Sequence, residues 1–102
     1  MTLTSRERAE LRAEAHRLSP LVHVGHQGLT DALLQTIDDA LRTHELVKVA
    51  LAKTTDAKPK DASHAMAEKL GAAVVQTIGR TCTLYRENPD LPKKQGAAPP
   101  WR

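Results

Sequence analysis

The sequence has no phenylalanine and only one tryptophan and one tyrosine, so rings for stacking on bases or lining an apolar pocket are scarce. A core must therefore be built from Leu, Val, Ile and Ala, and a large apolar ligand site is not expected. The single cysteine, Cys82, excludes an intrachain disulfide and a multi-cysteine metal site, and with them any need for an oxidising compartment. No apolar run reaches the roughly 18 residues that a membrane-spanning helix requires. The N-terminal MTLTSRERAE is charged almost from its start, which predicts no secretory signal. The cytoplasm is the expected compartment, and no membrane contact is expected.

A chain of 102 residues suits one domain and is too short for two ordinary cores. With 40% hydrophobic and 26% charged residues it belongs with folded rather than disordered chains. The formal charge of +3 favours anionic partners mildly, because Lys and Arg raise affinity and encounter rate toward phosphate polymers.

Local patterns predict an alternation of helices and strands. TSRE at 4–7 has the form of a capping box, and Leu11, Ala15 and Leu18 recur at helical spacing until Ser19-Pro20 disfavours continuation, so a first helix is expected to end near residue 17. LVHV at 21–24 is short, rich in β-branched residues and stopped by Gly25, which predicts a strand. Leu33, Leu34, Ile37, Ala40 and Leu41 form an apolar stripe of period 3.6, giving a helix to about His44. LVKVALA at 46–52 predicts a second strand with Val47, Val49 and Leu51 on one face and Lys48 and Ala50 on the other. After the polar stretch KTTDAKPKD, the residues Ala62, Ala65, Met66, Lys69 and Leu70 mark a third helix capped by Gly71. AVVQTI and TCTLYR, joined by Gly79-Arg80, predict an antiparallel hairpin with a type II′ turn. The expected fold class is α/β, a small α-β-α-β-α-β-β sandwich with a four-stranded mixed sheet over residues 1–87. From 88 to 102 four of the six prolines and a basic pair predict a flexible tail.

Enzyme chemistry finds little support. His23 and His26 are the closest histidine pair, but residues three apart on a strand point to opposite faces and no acidic or cysteine cluster joins them, so no metal or other cofactor is expected. HELVK at 44–48 begins like a zinc-protease motif and lacks its second histidine. Cys82 lies mid-strand, where a small buried thiol is expected rather than a nucleophile. Asp38 and Asp39 are helix neighbours that face different directions and form no acid/base dyad.

The stretch VHVGHQGLT at 22–30 is different. It sets a strand, a tight loop and a helix start in succession, where backbone N–H groups and the helix dipole can receive an anion. Gly25 and Gly28 allow a sharp turn and close approach of a bulky ligand. GHQGLTD carries neither the Gly-Lys-Ser/Thr of a P-loop nor the third glycine of a dinucleotide fingerprint. Two glycines two residues apart before a helix are how KH-type modules clamp an RNA backbone. Lys48 on strand two, Arg80 at the hairpin tip and Arg86 at the end of strand four could add a phosphate track, although each alone also suits a solvated charge.

These residues resemble a known family. LVHVGHQGLTDALLQTIDDALRTHELVKV, followed by VVQTIGRTCTLYR, is similar to the YhbY-like family, the CRM domain of chloroplast RNA splicing and ribosome maturation proteins, over about residues 3 to 87. The resemblance implies a KH-like, non-enzymatic RNA-binding fold similar to the C-terminal domain of translation initiation factor three. It implies RNA contact through Gly25, His26, Gln27, Gly28, Leu29 and Thr30, with Lys48, Arg80 and Arg86 in positions suited to the RNA backbone. The implied partner is large-subunit ribosomal RNA or its precursor particle, met by a monomer that assists subunit assembly. The family's loop often carries a lysine between its glycines, and this chain has His26-Gln27 instead. Since histidine titrates near about 6.5, the departure predicts a weaker or pH-sensitive contact. The alternative reading is a protein-interaction adaptor that docks through the proline-rich tail and Trp101.

Overall fold

The computed structural model describes residues 3–54 and 58–88. The elements run α1 (Ser5–Ala15), β1 (Val22–Val24), α2 (Asp31–His44), β2 (Leu46–Leu51), α3 (Pro59–Leu70), β3 (Ala73–Ile78) and β4 (Thr81–Tyr85). That is the expected α-β-α-β-α-β-β order. The expected tail with Trp101 lies outside the described residues apart from Asn88.

The helix ends follow local chemistry. Thr4 Oγ1 accepts from Glu7 N and Glu7 Oε1 accepts from Thr4 N, both at 3.0 Å, so the capping box is complete. α1 stops at Ala15 rather than 17, because Arg17 N donates to Glu14 O and Leu18 N to Ala15 O. Those three-residue spans tighten the chain out of the α-helix ahead of Pro20. α3 begins at Pro59 rather than Ala62. Proline suits the first helical position, since its missing N–H would have had no intrahelical partner. Gly71 closes that helix in the left-handed conformation, with φ of 64°.

The sheet order is β1-β2-β4-β3, with β1 and β2 parallel and the other pairs antiparallel. Strand alternation then sets two layers. Val47, Val49 and Leu51 face α2 and α3 with Val22, Val24, Cys82 and Leu84, and meet Ile37, Leu41 and Met66 in the main core. Burying each such large side chain contributes about 1.5–3 kcal/mol. On the opposite face Leu46, Val75 and Tyr85 pack beneath Leu11 and Ala15 of α1.

A bulge lies between Val74 and Gln76, which pair with the successive residues Leu84 and Thr83. The extra residue, Val75, turns to the α1 side and lets Val74 stay on the main core. At the hairpin Gly79 has φ of 55° whereas Arg80 has no positive φ, as a type II′ turn requires. Because β1 and β2 run in parallel, the residues after Val24 and after Leu51, the N-terminus of α3 and the Gly79-Arg80 tip all lie at one end of the sheet.

Candidate nucleic-acid interface

β1 delivers the chain into a turn in which Gly28 N donates to Gly25 O at 3.1 Å and Thr30 N donates to Gly28 O at 3.1 Å. Gly28 needs its glycine, since its φ of 73° is disfavoured for residues with a Cβ. Gly25 does not: its φ is not positive, and an added Cβ would meet nothing within 4 Å. A glycine that neither the backbone nor the packing demands keeps room for something that approaches from outside.

The loop is held by its far side. Leu29 is half-buried against the main core, and Thr30 caps α2, its Oγ1 accepting from Leu33 N at 3.2 Å. Gly25, His26, Gln27, Gly28 and Thr30, with Leu33, line one open hollow of about 270 Å³. His26 and Gln27 are exposed. The hollow opens at the N-terminus of α2, where the dipole favours an anion, but Asp31 already sets a carboxylate in that first turn.

The three expected cations are placed differently from one another. Arg80 stands at the loop end of the sheet, its Nε donating to Leu51 O at 3.2 Å and its Nη2 to Ala52 O at 2.7 Å. Lys48 lies on the α1-side face, with Nζ donating to Leu18 O at 3.1 Å. Arg86 follows β4 at the opposite end, because Leu46 pairs with Tyr85 while Ala50 pairs with Thr81. Its guanidinium donates to Asp38 Oδ1 and to Leu70 O, both at 2.8 Å, and to Asp38 O at 3.1 Å. Arg86 thus ties α2 to the end of α3 and is not brought to the loop.

Sequence reasoning passed over three lysines at the loop end. Lys53 follows β2 beside Ala52, whose N–H donates to Val24 O at 2.9 Å, and Lys58 and Lys60 flank the start of α3. All three are exposed. Their signal is the KTTDAKPKD stretch itself, a polar connection that carries three lysines, two of them flanking Pro59.

Cys82 is buried, and burial pushes its thiol above the usual value, a shift that the Ser63 hydroxyl partly opposes. Ser63 Oγ is itself engaged, donating to Pro59 O at 2.7 Å and lying 3.0 Å from Thr77 Oγ1. Among the described residues no group of three or more His, Cys, Asp or Glu side chains could hold a metal ion. No helix among them is long and apolar enough to cross a membrane.

The family profile of the CRS1/YhbY (CRM) domain matches residues 3–86; the chain belongs to that family. It is 35% identical over 86 residues to the "Probable RNA-binding protein YqeI" of Bacillus subtilis, covering 84% of this chain and 90% of that one. It is 37% identical over 97 residues to a protein of Haemophilus influenzae named RNA-binding protein, covering 91% and 98%. A Staphylococcus aureus protein solved in solution superposes with a TM-score of 0.76 at 29% identity, covering 87% of this chain and 93% of that one.

Proposed function

We propose that this protein binds RNA, holding the sugar-phosphate backbone in the hollow of Gly25–Gly28, and that it acts on large-subunit ribosomal RNA during assembly of the particle. The observation that carries the reading is Gly25, a glycine at the mouth of the hollow that its own fold does not require. Backbone N–H groups at the start of α2, with His26 and Gln27, then supply donors for phosphate oxygens. Arg80, Lys53, Lys58 and Lys60 surround the same end of the sheet and add the charge that gives RNA affinity its salt dependence. The relatives named as RNA-binding proteins support the same partner. The role is one of binding without chemical transformation, performed by a monomer in the cytoplasm.

Two measurements test it. RNA affinity should fall as salt rises, with log K linear in log salt, and Gly25→Asp with Gly28→Asp should abolish binding through bulk and like charge. Normal binding by the folded double variant would remove the loop assignment. Sedimentation of a cell extract should place the protein with precursors of the large subunit. Its absence from every ribosomal fraction would remove the assembly role.

A further inference from the structure

α1 covers only one half of the sheet face opposite α2 and α3, and the strand registers draw the half it leaves open. In the row nearest the loop His23 pairs with Ala50, Ala50 with Thr81 and Thr81 with Ile78, one residue from each strand. In the next row Thr83 pairs with both Lys48 and Gln76, and Leu21 N donates to Lys48 O at 3.0 Å. Only the third row, at Leu46 and Tyr85, lies under Leu11 and Ala15. Thr83, at the centre of the second row, is buried, so the open area is the row nearest the loop, roughly 14 Å across at about 4.8 Å between strands, with Lys48 and Gln76 half-buried behind it.

This area has the chemistry of a nucleic-acid surface. Among the described residues the large hydrophobic side chains left exposed are Leu21 and Ile78, and they stand at its two rims. Between them lie two shallow hollows of about 190 and 270 Å³ that share Lys48. His16 lines the first and Arg17 and His44 the second, and among the described residues no carboxylate lines either. By contrast, the groove beside α3 and the edge of β3 contains Glu68 with Arg8 and Lys60. Each shallow hollow falls below the roughly 300–1,000 Å³ of an enclosed small-molecule pocket. The face is also continuous with the loop, for His23 is exposed on it and Gly25 follows two residues later.

We propose that this open half-sheet contacts the bases of unpaired nucleotides next to the phosphate held at Gly25–Gly28. The inference rests on the RNA-binding reading of the loop and adds where sequence is read. A four-stranded sheet face accommodates two or three splayed bases. With no Phe in the chain, contact comes from the Gln76 amide, the Thr81 hydroxyl and the His23 imidazole, with Ile78 packing at the rim. Amide and hydroxyl groups distinguish base edges, whereas phosphate contacts do not.

The experiment uses the full chain with fluorescein-labelled single-stranded ribo-octamers of A, C and U and a 12-base-pair RNA duplex, followed by anisotropy across salt. The wild type should separate the octamers by about tenfold, the scale of one good base contact, and should bind the duplex less tightly. Gln76→Ala with Thr81→Val should compress that spread to within about threefold while the salt slope stays unchanged. An unchanged spread in the variant, or a duplex bound as tightly as the octamers, overturns the inference and leaves RNA binding standing. Amide shifts of the unmodified chain give a second reading that needs no variant. Perturbation at 23, 76, 78 and 81 supports the proposal, and perturbation confined to 25–30 overturns it. Self-association that buries the face and is abolished by Ile78→Asp also overturns it. Absence of salt-sensitive binding to any of these RNAs removes the RNA reading itself.

Discussion

Replacing Arg86 by alanine separates a cation that holds the fold from one that holds RNA. The side chain is only 20% exposed and makes three hydrogen bonds, two to Asp38 and one to Leu70 O. Hydrogen bonds to charged groups contribute about 1.5–3 kcal/mol each when counted singly. Breaking a fully buried ion pair costs about 3–5 kcal/mol. Two features lower that figure here: solvent reaches a fifth of the pair, and Asp38 keeps Arg42 at 3.2 Å. The Arg86 backbone N–H also keeps Glu45 O at 2.9 Å. A loss of about 2–3 kcal/mol remains, which for a domain of this size lowers Tm by about 10–20 °C. Calorimetry measures the loss, and anisotropy titration well below the lowered Tm measures RNA binding by the folded variant. The salt slope should match that of the wild type. Arg42→Ala serves as the control, since its side chain is 67% exposed and such pairs are worth about 0–1 kcal/mol. A Tm shift of less than about 2 °C together with a salt slope reduced by about one would refute the reasoning and return Arg86 to the phosphate track.

The two loop glycines should come apart on substitution. Gly28→Ala should cost about 1–2 kcal/mol in urea unfolding because of its positive φ, whereas Gly25→Ala should stay within about 0.5 kcal/mol of wild type and still weaken RNA binding. Equal stability losses would contradict the different demands on the two positions. Asp31→Asn removes a carboxylate from the turn proposed to receive the anion, so RNA affinity should rise about two- to fivefold; an unchanged affinity would place the phosphate elsewhere. Burial raises the Cys82 thiol above its ordinary 9.0. Its contribution to stability is therefore complete below that value and is lost as pH rises through the folded value. Unfolding curves of wild type and Cys82→Ala across that alkaline range should diverge in their pH slope, and parallel slopes would count against a buried thiol.

The elements that sequence revealed are those with short-range causes. The capping box at Thr4 and Glu7, the apolar stripe of α2 and the glycine at the β3–β4 turn each act within a few residues. The bulge in β3 was not legible, because Val74 and Val75 are both apolar and nothing local says which faces which layer. The start of α3 was obscured by Pro59, which reads as a breaker until it is placed in the first turn.

The candidate site was legible to the same degree. GHQG announced its loop, but the sign of a charge carries no information about which end of a strand it occupies. Arg80 and Arg86 flank the five residues of β4, about 20 Å apart at 3.3 Å per residue, so only one of them can neighbour the loop. What decided the other was Asp38, 48 positions away in sequence. Lys48 and Arg80 also donate to backbone carbonyls, at Leu18 and at Leu51 and Ala52. That does not remove them from a binding role. Holding a long cationic side chain in place before RNA arrives spares part of the roughly 0.5–1.5 kcal/mol of rotamer entropy that ordering it would cost. The exposed lysines at 53, 58 and 60 must meet that cost on binding. Their removal should therefore change affinity less, per charge, than Arg80→Ala measured in the same salt series.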